Sequence, residues 1–164
     1  LINLKGRKYQ KKRNHINGFI KNYDYLYEPV NSSNIEECIV SELEWAAKRQ
    51  NNRGVQEEKN ATIEACKYFD ELKIKGGALR INGKIQAFSF GELLNPKTAV
   101  IHIEKANADI KGSYAMINQK FAEQCWADVP YINREEDMGL PGLRKAKKSY
   151  YPVTMVKKYT GLLK

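Results

Sequence analysis

Residues 98–126 read TAVIHIEKANADIKGSYAMINQKFAEQCW, and the division of this stretch decides the fold. Ala99, Ile101 and Ile103 alternate with His102 and Glu104, the period of a strand. Tyr114, Ile117, Phe121, Ala122 and Cys125 fall at helical spacing. Gly112 stands between the two. A strand feeding a helix through a Gly turn aims free backbone N–H groups and the positive end of a dipole at one point, a place suited to an anion.

Upstream, residues 6–23 form a helical stripe (Tyr9, Ile16, Phe19, Ile20, Tyr23) with Lys5, Arg7, Lys8, Lys11, Lys12 and Arg13 crowding its first half. Residues 23–30 alternate as a strand that stops near Pro29. Ser33-x-x-Glu36 is a capping box opening a helix to about Arg49. Residues 50–54 (QNNRG) break it, and a second helix runs over 56–72. Glu42, Glu44, Glu57 and Glu58 read as solvated charges on these helices. Gly76-Gly77 precedes a strand, Asn82-Gly83 signals a two-residue hairpin, and the partner strand covers 84–93. After the central stretch come a short strand (129–133), a basic helix (142–150) and a last strand from Val153. Three hairpin-joined strands followed by a βαβ crossover make an α+β domain with a mixed sheet.

The net charge of +9 is uneven. Residues 1–23 hold seven bases and no acid, residues 138–164 the same, and the middle holds fourteen bases against nineteen acids. If the two ends meet in the fold they form one positive surface for a phosphate-bearing partner. No apolar run reaches the length of a membrane span, and no secretory signal is present. Cys38, Cys66 and Cys125, without paired spacing, read as buried free thiols in a reducing compartment. Two histidines and the adjacent acids of REED (134–137) give poor support to a metal site, and none is expected.

From residue 24 onward the element order resembles the GNAT (N-acyltransferase) fold, with a basic linker helix over 1–23 in front of it. In that fold the loop after the fourth strand cradles the pyrophosphate of acyl-CoA through Arg/Gln-x-x-Gly-x-Gly/Ala. Here it reads Asp109-Ile110-Lys111-Gly112-Ser113-Tyr114: the middle Gly matches, Asp109 brings the wrong charge, and Tyr114 replaces a small residue. The segment GLRKAKKSYYPV (142–153) resembles the GLRxxKxxFxP segment of the phosphatidylglycerol lysyltransferase C-terminal domain family, and IHIEKAN resembles its Ile-x-Ile-Asp segment, with Glu104 at the acidic position. The opening GRKYQKKRNHI is similar to a bacterial branch of that family. The resemblance implies the second of two tandem acyltransferase-like domains, cytoplasmic or at the inner face of the membrane, with aminoacyl-tRNA as donor and a hydroxyl or amine, such as that of an anionic lipid, as acceptor. An acyl-CoA N-acyltransferase is the first alternative. A non-catalytic module for RNA or anionic membranes is the second. Where lysyltransferases of the family carry a basic residue shortly after the acidic one, this chain has Asn107.

Aminoacyl transfer needs an orienting or basic group, donors for an oxyanion and cations for phosphate. The candidates are Glu104 and His102 as catalytic groups on one strand face. Gly112, Ser113, Asn107, Arg144 and Lys147 are candidates for substrate or phosphate, and Lys8, Lys11, Lys12 and Arg13 for the tRNA backbone.

Overall fold

The structure is a computed structural model that describes residues 1–49 and 53–162. One five-stranded sheet, in the order β1-β2-β3-β4-β5, carries helices on both faces. The strands are β1 (Tyr25–Pro29), β2 (Lys75–Ile81), β3 (Lys84–Asn95), β4 (Thr98–Ala106) and β5 (Tyr131–Asn133). The first four pair antiparallel and β5 joins β4 in parallel, as the crossover requires. Asn82 and Gly83 both take positive φ, 50° and 78°, the turn that matches the twist of a two-residue hairpin.

Helices α2 (Ile35–Ala47) and α3 (Arg53–Lys67) cover one face, where Cys38, Cys66 and Phe69 meet Ala78, Phe88 and Phe90. Helices α1 (Gln10–Asn22) and α4 (Ser113–Cys125) cover the other, where Ile16, Phe19, Met116 and Ile117 meet Leu79, Ile81, Ala87 and Ala106. Because α4 packs against the sheet and also against α1, it is buried on two sides, and Ala115, Met116 and Asn118 go inside beside the expected stripe. A further helix, α5 (Pro141–Lys148), lies outside these layers with no buried residue.

Several expectations are corrected. The Ser33–Glu36 capping box does not form. The Ser33 hydroxyl donates to Asn31 Oδ1, and Asn34 caps the turn by accepting the Asn31 N–H, so α2 starts at Ile35. Helix α3 starts earlier, at Arg53, and ends at Lys67; residues 50–52 of the expected break lie outside the described residues. No strand follows Pro152 among the described residues, because β5 offers a three-residue edge and nothing is paired beyond it; Leu163 lies outside them. Cys38 and Cys66 are buried thiols, but Cys125 is only half-buried, its Sγ 3.7 Å from the Tyr27 hydroxyl.

Glu42 is the largest departure. It is fully buried, and its carboxylate lies 3.4 Å from Nζ of Lys105, itself 2% exposed, which also reaches Glu58 at 2.8 Å. Burial pushes the Glu42 carboxyl up and the Lys105 ammonium down, each partly offset by the opposite charge beside it. Nζ of Lys105 and the Arg49 guanidinium stand 3.3 and 3.4 Å from the Trp45 ring centre, so they must occupy opposite faces of the indole.

Candidate functional site

β5 pairs with β4 only at Thr98, Ala99 and Val100, so the later half of β4 has no strand beside it on that edge. Glu104 lies there. Asn118 Nδ2 of α4 donates to one carboxylate oxygen at 2.6 Å, and Arg134 Nη2 donates to the other at 2.8 Å. The Arg134 guanidinium packs 4.6 Å from the Tyr150 ring centre, and Lys12 of α1 sits over the same ring at 3.9 Å. Lys147 Nζ donates to the backbone carbonyls of Arg134 and Glu136 at 2.5 and 2.6 Å. The two basic ends of the chain therefore do meet, and they meet around one half-buried carboxylate.

Burial and mutual repulsion both act on the cations of this cluster. Burial lowers the Lys12 ammonium, the Arg134 charge lowers it further, and Glu104 opposes both. Lys147 is lowered for the same leading reasons. Nε and Nη1 of Arg134 and Oδ1 of Asn118 are buried without a hydrogen-bond partner. Such groups cost free energy unless something pairs with them. Lys12, Arg134 and Lys147 thus crowd around Glu104, with Glu135 and Asp137 also acting on Lys147.

His102 is not Glu104's companion. Phe90 pairs with Ile103 and Gly91 with Ile101, so His102 is an extra residue, a β-bulge that resets the alternation. It lines a cavity of about 400 Å³ with Ala61, Ala65, Leu72 and Ile74 on the α3 side, whereas Glu104 faces α4. Its Nδ1 lies 2.7 Å from Glu135 and its Nε2 3.0 Å from Glu92.

The turn before α4 is filled by the protein itself. Gly112 has φ 91°, and a Cβ there would stand 2.4 Å from the His15 carbonyl oxygen of α1. Ser113 is buried; its N–H bonds to the Ile110 carbonyl and its hydroxyl to that of Asn107. Asn107 closes on Gln86, which is left unpaired in β3 because Leu79 pairs with Ala87 and Arg80 with Ile85, by two hydrogen bonds at 2.8 and 3.0 Å. It lines a separate cleft of about 340 Å³ with Trp45, Lys48 and Asp109. Lys48 and Asp109 pair there at 2.6 Å, which cancels the charge that opposes phosphate. Tyr114 accepts the Trp45 indole N–H at 3.0 Å.

Arg144 is committed to Asp137 through Nε and Nη2. Arg13 ties down the N-terminal turn through the Leu4 and Gly6 carbonyls. Lys8 and Lys11 are exposed, with Lys8 over the Tyr9 and Tyr151 rings. Of the candidates, the structure thus brings together Glu104, Lys12 and Lys147 and separates the rest. It adds Arg134 and Asn118. Asn118 carried a legible signal, an amide on the apolar stripe of Tyr114 and Phe121; Arg134 carried only its position just past a short strand.

Comparison with known proteins gives four further findings. The profile of the family described as phosphatidylglycerol lysyltransferase, C-terminal, matches residues 1–161. An uncharacterised protein of Mycoplasmoides gallisepticum is 27% identical over 97% of this chain and 52% of its own length. A solved protein of unknown function from Bacteroides thetaiotaomicron is 48% identical, with a TM-score of 0.86 over 94% of this chain and 53% of that one. A ribosomal-protein-alanine N-acetyltransferase from Brucella melitensis, at 11% identity and a TM-score of 0.58, covers 85% of this chain with all of its own, a likeness of fold. The chain spans about half the length of the first two relatives.

Proposed function

The chain belongs to the phosphatidylglycerol lysyltransferase C-terminal family, and from that premise we propose that this GNAT-like, acyltransferase-like domain serves tRNA-dependent aminoacyl transfer to a hydroxyl or amine acceptor. The observation that carries the reading is the convergence of Lys12, Arg134 and Lys147 on Glu104. Both Glu104 oxygens already accept hydrogen bonds, so its role is to orient the α-ammonium of the aminoacyl group rather than to abstract a proton. The unpartnered Arg134 N–H groups supply donors for the ester carbonyl as negative charge develops on its oxygen. Lys12 and Lys147 meet the phosphate of the terminal nucleotide. The acceptor oxygen or nitrogen attacks the carbonyl, the ester C–O bond to the ribose breaks, and the proton lost by the acceptor O–H or N–H ends on the departing ribose oxygen.

Acyl-CoA is the weaker donor on physical grounds. The turn that would cradle its pyrophosphate is covered by α1 at Gly112, and the Ser113 N–H is already bonded. A preceding acyltransferase-like domain of the same polypeptide, an anionic lipid as acceptor and a station at the inner membrane face belong to the same proposal. Among the described residues no helix is long and apolar enough to cross a membrane.

The test is equilibrium binding of the chain to charged tRNA, uncharged tRNA and acetyl-CoA, with Glu104→Gln alongside. The expected result is a preference for charged tRNA that Glu104→Gln removes, about tenfold for one lost charge-assisted hydrogen bond. Saturable acetyl-CoA binding would overturn the donor assignment. Equal binding of charged and uncharged tRNA, unchanged in the variant, would reduce the chain to an RNA-binding module.

A further inference from the structure

The 134–148 segment is a strap that carries Arg134 to Glu104, and it is fastened from the other side of the sheet. Glu135, next to Arg134, sits in the left-handed region at φ 53° with its N–H held by Asn133 Oδ1. That backbone is unfavourable for a non-glycine residue and persists only when neighbours fix it. The fixing contact is His102. Its two ring nitrogens lie 2.7 and 3.0 Å from carboxylates on different elements, Glu135 of the strap and Glu92 of β3. A neutral imidazole has one N–H and can donate to only one of them; the imidazolium donates to both.

We propose that His102 is a positioning residue: as an imidazolium shared by Glu92 and Glu135 it clamps the strap so that Arg134 stays on Glu104, and the clamp releases when the ring loses its proton. The bulge that makes His102 an extra residue in β4 also turns Glu104 toward α4, so one local irregularity sets both members of the Glu104–Arg134 pair. The remaining charged groups around the ring do not replace the clamp. Glu58 of α3, on the rim of the same cavity, is engaged by Lys105. Lys147 of α5 lies near Glu135 but directs two of its three N–H donors to the Arg134 and Glu136 carbonyls. Burial by itself pulls the imidazole down, but the hydrogen bonds and charges of Glu135 and Glu92 outweigh it, and the net shift is upward. A group raised in the folded state gives stability that is whole below its ordinary value near 6.5 and is lost as pH rises through the raised value.

The experiment needs no ligand, so its failure is separate from failure of the donor assignment. Imidazole nitrogen shifts of His102 are followed by NMR from pH 5 to 9. Amide exchange of 134–148, corrected for intrinsic rate, is measured by mass spectrometry over the same range in the wild type, His102→Gln and Glu135→Gln. Expected are both nitrogens protonated at pH 6 and strap protection that falls with His102's own titration, about tenfold for each unit of upward shift. Both variants should show low, pH-independent strap protection while α4 (Ser113–Cys125) exchanges as in the wild type. A His102 titration at or below the ordinary value, wild-type strap protection that is flat with pH, or a variant that keeps the wild-type profile would each overturn the proposal.

Discussion

Lys105 and Glu42 are the charges that the core cannot afford to hold singly. Each is out of water; Lys105 is answered by Glu42, Glu58 and the Trp45 ring, and Glu42 by Lys105. Lys105→Met alone strands a fully buried carboxylate and is expected to cost about 3–5 kcal/mol, while Lys105→Met with Glu42→Leu recovers most of it. Urea unfolding of the wild type, single and double variants checks this, and equal losses in single and double would refute it. A second residue-scale expectation concerns Gly112. Its φ of 91° and the 2.4 Å approach of the His15 oxygen make Gly112→Ala destabilising by about 1–3 kcal/mol, measured as a lowered unfolding midpoint. Glu42 was legible in principle, since Cys38, Glu42 and Ala46 recur every four residues on one face of α2. A carboxylate on an apolar stripe is a buried charge awaiting its partner. Lys105 was not legible, because the bulge at His102 shifts the phase of β4 and no rule of spacing announces a bulge.

At the scale of elements, local signals decided whatever local chemistry controls. The Asn82-Gly83 turn, the strand from Thr98 and the helix after Gly112 need only turn geometry and periodicity. The segment after Pro152 alternates well enough to be a strand, but a strand is completed by its neighbour. β5 is three residues long, and Val153, Met155, Val156 and Tyr159 stand exposed. A chain shortened to end at Tyr151 is therefore expected to keep its stability within about 0.5 kcal/mol, the range of surface changes. Tyr150→Ala, which removes the ring shared by Lys12 and Arg134, is expected to cost about 1–3 kcal/mol. Thermal melts of the two proteins decide: a large loss on shortening would mean that the tail is a packed element.

At the scale of the whole molecule, the uneven charge becomes one surface because hydrophobic contacts between the chain's ends bring it together. The Tyr9 hydroxyl donates to the Tyr150 carbonyl at 3.1 Å, and the Tyr9 and Tyr151 rings meet edge to face at 5.6 Å. Sequence showed that both ends are basic but not that they touch, since contact across some 140 residues depends on packing no local pattern encodes. With Arg13 and Arg144 occupied by protein partners and Lys12 and Lys147 gathered at the Glu104 cluster, the exposed cations outside that cluster include Lys8 and Lys11 on α1 and Lys145 and Lys148 on α5. Each phosphate neutralised contributes about 0.7 to 0.9 to the slope of log affinity against log salt. Replacing Lys8 and Lys11 with Gln is expected to lower that slope for tRNA by about 1.5, replacing Lys145 and Lys148 by a similar amount, and both pairs by about 3. Two unrelated surfaces behave differently, because each would bind its own RNA. Removing one pair would then halve the stoichiometry and leave the slope of the remaining site unchanged. A salt titration of tRNA affinity with the two double variants and their combination separates the cases, and an unchanged slope in either double variant would mean that the ends meet without acting together.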